Sequence, residues 1–236
     1  MLTPALNLYG NISTGFQTPQ TSELGENPSL VPSETTNYET GLKARFEGGH
    51  SVDLSLFYIN VEDDIVQTTL PGNQTSYTNA GETRKMGLEL AARMQAWPGL
   101  YLGGAYTYSD FKFVEFNEVI GGVNFSRDGN RLPYVPMHQY SLFVQYKHPS
   151  GFRFKVETNT WGKYEVDNAN SETYEGYAFI TNAVVGYRWK GWDFAFDVYN
   201  VFDTHHAIEV TKESGGATKY RPGGPTTWMA RVGYTF

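Results

Sequence analysis

The sequence predicts an all-β protein, an antiparallel up-and-down transmembrane β-barrel of about ten strands. Three observations carry this. Strand-length stretches alternate so regularly that whole faces of Leu, Phe and Tyr stand opposite whole faces of charged or small polar residues, which implies two solvents. The connections between those stretches alternate strictly between long and short, as spanning barrels do and soluble sandwiches need not. Aromatic residues make up 16% of the chain, with 17 Tyr and 15 Phe, yet mean hydropathy is only −0.44. Alternating strands average a lipid face with a water face, which reconciles the two values. No apolar run approaches the ~18 residues of a spanning helix. In lipid, only helices and closed ladders satisfy the backbone, so a membrane protein of this composition must be a barrel.

The first strand, residues 6–16, sets Leu6, Leu8, Ile12 and Phe16 against Asn7, Tyr9, Asn11 and Ser13. Residues 18–32 form a long polar loop containing Pro19, Pro28 and Pro32. The second strand places Tyr38, Leu42, Ala44 and Phe46 opposite Glu39, Lys43 and Arg45, and residues 47–50 make a tight turn. The third carries Val52, Leu54, Leu56 and Tyr58 against Asp53 and Ser55. It runs on, less regularly, to Leu70, where Pro71-Gly72-Asn73 turns it. The fourth, residues 83–95, opposes Met86, Leu88, Leu90, Ala92 and Met94 to Lys85, Glu89, Arg93 and Gln95. After a turn at 97–99, the fifth shows Leu100, Leu102, Tyr106 and Tyr108 on one face.

A long loop, residues 117–133, leads to the sixth strand, with Tyr140, Leu142, Val144 and Tyr146, and residues 148–151 turn it. The seventh is the most regular: Phe152, Phe154, Val156, Thr158 and Thr160 against Arg153, Lys155, Glu157 and Asn159. A polar loop spans 167–175. The eighth puts Tyr177, Phe179, Ala183, Val185, Tyr187 and Trp189 opposite Asn182, Gly186 and Arg188. Lys190-Gly191 turns it into the ninth, where Trp192, Phe194, Phe196 and Val198 oppose Asp193, Ala195 and Asp197. The last long loop covers 203–224. The final strand sets Trp228, Ala230, Val232, Tyr234 and Phe236 against Met229, Arg231 and Gly233.

In a barrel, the short turns share the periplasmic side with Phe236, and the long loops lie outside. Trp97, Tyr146, Phe152, Trp189 and Trp192 cluster beside those turns, as a girdle of interfacial aromatics does. Phe154, Val156, Phe194, Phe196, Val232 and Tyr234 are expected to point outward, and Arg153, Lys155, Glu157, Asp197 and Arg231 inward.

Several function classes drop out. The chain has no Cys, hence no disulfide framework and no thiolate chemistry. A net charge of −7 argues against nucleic acid as a partner. There is no Gly-x-Ser-x-Gly elbow, His-Glu-x-x-His or P-loop, so neither an enzyme nor a cofactor is expected. Met1–Ala5 has neither the basic region nor the apolar region of a signal peptide, so a mature form or a fragment is expected.

A series of short phrases resembles the TonB-dependent outer-membrane receptors. Gly15-Phe16 with Pro19 is similar to that family's Gly-Phe-x-x-Pro segment. Asn27-Pro28, Leu30, Pro32 and Glu34 lead into Asn37-Tyr38-Glu39, Gly41 and Lys43 in the same style. Asn79-Ala80-Gly81 with Gly87 and Glu89, and Gly129, Arg131-Leu132-Pro133, Pro136 and His138, follow. Asn200-Val201-Phe202-Asp203 and the Pro222-to-Phe236 ending complete the series in family order. The style is similar to that of ferric-siderophore and ferric-dicitrate receptors. The resemblance implies that residues 1–236 are the C-terminal part of such a barrel, without the plug domain, the TonB-contacting segment (TonB box) and the early strands. It implies a parent receptor in the bacterial outer membrane that binds a scarce ligand, a ferric siderophore or similar iron chelate, and imports it with energy supplied through TonB. It also implies that Phe236, with Tyr234, resembles the signal read by the barrel-assembly machinery. Outer-membrane lipid, the chelate and TonB are the other expected partners.

Ferric chelates are often anionic, so Arg131 and Arg221 are candidates to attract one, with Tyr134 and Tyr220 beside them for stacking or hydrogen bonds. The competing reading has both arginines paired with loop carboxylates, holding the loops in shape. His205-His206 invites a metal-ligand reading, but adjacent side chains on an extended chain point apart, so no metal site is expected. A passive porin-like channel is the alternative function, and a soluble all-β binding module a third. As a fragment, the chain is expected to form an open half-barrel, because its curvature belongs to a wider cylinder. Closure into a smaller barrel and completion by a second chain are the other outcomes.

Overall fold

Leu6, Leu8, Ile12 and Phe16 make one face of the first stretch largely apolar, and a strand forms over Leu6–Gln17 (β1). The structure is a computed structural model that describes residues 6–70, 74–212 and 217–236. After β1 comes a one-and-a-half-turn helix, Thr21–Glu26 (α1). The polar loop of residues 18–32 is therefore partly helical. Its start is closed by a reciprocal capping box between Gln20 and Glu23. Next are Ser33–Phe46 (β2), His50–Glu62 (β3), Ile65–Leu70 (β4), Gln74–Asn79 (β5), Glu82–Trp97 (β6) and Leu100–Glu115 (β7). Asn117–Ile120 (β8), Val123–Ser126 (β9), His138–Lys147 (β10), Phe152–Trp161 (β11), Tyr164–Glu165 (β12) and Thr173–Tyr174 (β13) follow. The chain continues through Tyr177–Trp189 (β14), Trp192–Tyr199 (β15), Ala207–Lys212 (β16), Thr218–Pro222 (β17) and Thr227–Tyr234 (β18).

Ten of these strands form one antiparallel meander in the order β1-β2-β3-β6-β7-β10-β11-β14-β15-β18. Among the described residues no ladder joins β1 to β18, so the sheet is open. The remaining eight strands make four separate hairpins: β4–β5, β8–β9, β12–β13 and β16–β17. Because the meander is strictly up-and-down, all four hairpins stand at one end of the sheet, together with α1. The opposite end has only short turns. At Lys190-Gly191 both residues have positive φ (+43 and +84), the twist-matched geometry of a two-residue hairpin.

Register holds the two faces apart. One row reads Leu8, Leu42, Leu54, Leu90, Tyr106, Tyr140 across six strands. Another reads Leu102, Val144, Val156, Ala183, Val198, Trp228. This apolar face has no protein layer over it: Leu8, Ile12, Phe16, Trp228 and Val232 are each 60% exposed or more. So large an uncovered apolar surface suits lipid. The opposite face is tied by charge. Arg153 and Arg188 both reach Asp193 at 2.5 and 3.0 Å, Arg231 reaches Asp197 at 2.7 Å, and Lys155 pairs with Glu157. Glycines on this ionic face seat large cross-strand neighbours. Tyr9 lies across Gly41, Phe57 across Gly87, Phe143 across Gly103 and Arg153 across Gly186, each pair in direct register.

Three sequence expectations need correction. The third strand does not run on to Leu70. It ends at Glu62, because Asp63 turns left-handed (φ +54) and residues 65–70 form one arm of a hairpin. The Pro71-Gly72-Asn73 turn lies outside the described residues, as do Met1–Ala5. The loops of residues 117–133 and 203–224 contain β8–β9 and β16–β17, whose short arms lack a long alternating pattern. Finally, Tyr177 does not share a face with Val185 and Tyr187. A bulge opposite Thr160, with Phe179 at φ +57, inserts one residue and reverses parity. Tyr177 consequently sits opposite Trp161 on the ionic face.

Candidate functional site

The long connections fold onto one another and form a braced outer platform. Asn79 on β5 exchanges hydrogen bonds with the Val31 backbone, and the Asn27 side chain donates to the Tyr77 carbonyl at 2.8 Å. The first loop is thereby fixed to the β4–β5 hairpin. Asn168, only 7% exposed, is the central tie. Its side-chain amide donates to the Gln67 carbonyl at 3.1 Å and to Glu118 at 3.0 Å, and its own carbonyl accepts from Asn130 at 2.9 Å. Glu118 is charge-balanced by Arg127 at 2.7 Å. Asn170 brackets Arg131 through the latter's backbone N–H and C=O, at 2.7 and 2.9 Å.

Two small cores fill the platform. Ala80, Phe113 and Phe116 pack with Val66 and Leu132 under the first half. Tyr164, Val166, Ala207 and Val210 pack with Trp161 and Tyr174 under the second. Polar ends of the tyrosines close the second core: the Tyr164 hydroxyl accepts from the Val210 amide at 3.0 Å, and the Tyr174 hydroxyl donates to the Ala207 carbonyl at 3.0 Å. Lys212 then clamps β16 to the loop after β12, with Asp167 at 2.6 Å and Ser171 at 2.9 Å. Burial pushes the Asp167 carboxyl up, but the Lys212 ammonium and two hydrogen bonds from Ser171 outweigh it and hold it below the usual carboxylate range. Asp167 in turn raises Lys212.

The sequence-selected residues fall into separate places. Tyr134 and Tyr220 are the two ends of a ladder of edge-on rings: Tyr134 to Tyr164 at 6.3 Å, Tyr164 to Tyr174 at 5.3 Å, and Tyr174 to Tyr220 at 6.4 Å. Burial pushes both the Tyr134 and the Tyr164 phenol up, so both rings carry neutral hydroxyls. The two middle rungs, Tyr164 and Tyr174, lie outside the sequence selection. Their signal was the alternation of Tyr164 and Val166 with Glu165 and Asp167 beside a segment otherwise read as polar loop.

Arg221 reaches Glu209 at 3.5 Å with its side chain 70% exposed. Arg131 reaches Asp110 at 3.2 Å on the face continuous with the apolar one. The two arginines therefore have different ion-pair partners, Asp110 and Glu209. Tyr220 does share a cleft of about 660 Å³ with Tyr174, Asp203, His205 and His206. Within it His206 donates from Nδ1 to the Thr204 carbonyl at 3.0 Å and packs on Tyr177 at 4.9 Å. Among the described residues no group of three or more His, Asp or Glu is placed to hold a metal ion. Phe236 is fully exposed and meets Tyr234 edge-on at 5.2 Å, and Tyr234 meets Trp192 at 4.9 Å.

Comparison with known proteins agrees with this geometry. Residues 1–201 match the family model described as TonB dependent receptor-like, beta-barrel. The catecholate siderophore receptor Fiu of Escherichia coli K12 is 25% identical over 188 residues, covering 77% of this chain and 23% of that protein. The ferrioxamine B receptor of Salmonella typhimurium LT2 is 28% identical over 184 residues, covering 76% and 24%. The crystal structure of Fiu from E. coli K12 superposes with a TM-score of 0.75 at 22% identity, over 100% of this chain and 34% of that one. The chain thus spans about a quarter of the length of the curated relatives it matches (23% and 24%). An open ten-stranded meander with all long loops at one end, matched over residues 1–201 by the family model, belongs to the TonB-dependent receptor β-barrels of the Gram-negative outer membrane.

Proposed function

We propose that this chain is the part of an outer-membrane receptor that helps present a binding surface for a ferric siderophore or similar iron chelate, which the whole receptor imports with energy supplied through TonB. The observation that carries this is the bracing of the outer loops through the buried Asn168, whose hydrogen bonds join three connections. A receptor gains affinity when its contact surface is ordered before the ligand arrives. A passive pore has no such requirement. The names of the relatives, a catecholate siderophore receptor and a ferrioxamine B receptor, support an iron chelate as cargo.

The process is binding followed by energised release, with no bond made or broken in the ligand. Tyr134 and Tyr220, the exposed ends of the ring ladder that Tyr164 and Tyr174 hold in place, provide ring edges and hydroxyls for an aromatic or hydroxamate-type chelator. Arg221, which among the described residues makes only a long ion-pair contact to an exposed Glu209, can turn to an anionic one. Arg131 lies beside Asp110, on the face continuous with the apolar one, and does not join them. The test is uptake of radioactive iron chelates by a strain whose only such receptor is the full-length protein carrying this chain. Uptake that saturates and stops when the proton-motive force is collapsed, while binding on ice persists, is the expected result. Uptake that rises linearly with concentration and ignores the uncoupler would instead establish the porin-like reading.

A further inference from the structure

The apolar face ends, near the loops, in a cluster of bases. Pairing of β6 with β7 is regular from Thr83 to Gln95, so side-chain parity carries through without a break. Met86, Leu88 and Leu90 face lipid, and Arg84 faces the same way. Tyr106 and Tyr108 face lipid, and so do Asp110 and Lys112. Arg131 is bridged to Lys112 beyond the named strands, which puts its side chain on that face as well.

All three bases converge on one carboxylate. Asp110, 5% exposed, lies 3.2 Å from Arg131, 3.3 Å from Lys112 and 3.6 Å from Arg84. One acid cannot balance three cations, and none of these contacts is short. Arg131 also donates to the Ser109 carbonyl at 2.9 Å. Arg84 is the least satisfied: its Nε is buried without a hydrogen-bond partner, as is the Oδ1 of Asn60 directly opposite it.

Depth in the membrane follows from the rows. Tyr38, Tyr58, Met86 and Asp110 form one row, with the two tyrosine rings 6.3 Å apart. Tyr106, Tyr108 and His138 lie just below, the Tyr106 hydroxyl 2.8 Å from His138 Nδ1. Such a band marks the level at which tails give way to headgroups. Arg84 and Lys112 stand one row further out, about 7 Å along the strand. Glu34, Glu62 and Glu82 occupy the row beyond, with none of them in ion-pair contact with the three bases, and mark the water side.

We propose that Arg84, Lys112 and Arg131 bind the phosphate of a lipid headgroup in the outer leaflet, whose tails lie against Tyr58, Met86, Leu88 and Tyr108. Guanidinium forks grip phosphate oxygens in pairs and an ammonium adds a point charge, so the three together suit one phosphate wedged beside Asp110. The bilayer supplies such groups at this depth at high local concentration. The site lies on the outside of the sheet and is independent of what the receptor imports.

The test is native mass spectrometry of the full-length receptor carrying this chain, titrated with a phosphorylated outer-leaflet glycolipid, its dephosphorylated form, and inorganic phosphate. The wild type is expected to retain the phosphorylated lipid, and Arg84→Gln/Lys112→Gln to weaken retention by about tenfold. Asp110→Asn keeps all three bases, removes the competing acid and is expected to strengthen it. That variant also decides the matter if the double variant fails to fold. Equal retention of the dephosphorylated lipid, unchanged retention by the double variant, or weaker retention by Asp110→Asn would overturn the proposal. Full competition by millimolar inorganic phosphate would overturn the lipid as its source.

Discussion

Asp197 on β15 is almost completely buried, and Arg231 on β18 closes over it with two 2.7 Å hydrogen bonds, from Nε and from one terminal nitrogen. The two are not directly opposite: Asp197 faces Met229 and Arg231 faces Ala195. The small Ala195 leaves room for the guanidinium to reach diagonally along the ionic face. This pair, with Arg153, Arg188 and Asp193 next to it, ties β11, β14, β15 and β18 together on the side away from lipid.

An asymmetry follows from it. Arg231→Ala leaves a buried carboxylate without its partner, whereas Asp197→Asn leaves a half-exposed guanidinium that water can solvate. The arginine substitution is therefore expected to lower the urea midpoint of the folded full-length receptor further than the aspartate substitution does. Equal or reversed shifts would show that Asp197 is not the dependent member of the pair.

Asn168→Ala removes two side-chain hydrogen bonds of a buried residue and leaves Glu118 with Arg127. At about 1 kcal/mol per bond the loops should loosen by roughly 2 kcal/mol, enough to weaken chelate binding by about tenfold or more. The sheet makes no use of Asn168, so the unfolding midpoint should stay near the wild-type value. Unchanged binding affinity would mean that the platform does not need this tie.

The clamp between Asp167 and Lys212 gives a pH dependence with a defined sign. A carboxyl held below its usual value adds stability above about pH 3.8, and loses it as pH falls through that region. The raised Lys212 adds stability below about pH 10.5, and loses it as pH rises through its folded value. Spin labels at Thr173 and Thr211 are expected to keep one distance across the neutral range and to separate only at the acid and alkaline extremes. Asp167→Asn should abolish the acid step. An acid step of equal size in that variant would assign it to another group.

How much of this was legible in the chain depended on length of pattern. Along β6, β7 and β11 a period of two runs for ten or more residues, so the faces and their solvents could be assigned from composition alone. The bulge at Phe179 was not legible, because a single inserted residue leaves the surrounding alternation intact while reversing the face of Tyr177. The loop hairpins were hidden because arms of two to six residues are too short to show a period. Arg131 read either as a ligand residue, because a loop cation near a tyrosine suggests anion binding, or as the partner of a loop carboxylate. Its bridge to Lys112 turns it toward Asp110, a relation between residues 21 positions apart that no local pattern encodes.

Phe236 meets Tyr234 edge-on, and Tyr234 meets Trp192 at a tilt, on the lipid side of the short-turn end. By its resemblance to an assembly signal, Phe236→Ala in the full-length receptor is expected to lower the amount in the outer membrane several-fold, with chelate affinity per folded receptor unchanged. An unchanged level would make Phe236 a girdle residue only.

The last prediction concerns the open sheet. Among the described residues β1 pairs only with β2, and β18 only with β15. Roughly half of the N–H and C=O groups on each of these strands point to an unpaired edge. In lipid each such group costs several kcal/mol, so one edge costs tens of kcal/mol. Ion pairs such as Arg231–Asp197 hold neighbouring strands together but offer nothing to an edge. The chain alone is therefore expected neither to insert as a stable barrel nor to transport. Expressed by itself in a strain lacking the receptor, it should give no compact, heat-modifiable band on a gel and no uptake of iron chelate. The full-length receptor should give both. Co-expression of the remaining strands as a separate chain should restore the compact band, because those strands provide partners for both edges. A compact band from the 236-residue chain alone would show that β1 and β18 find each other in a smaller cylinder. Energy-dependent uptake by that chain would refute the requirement for the rest of the receptor.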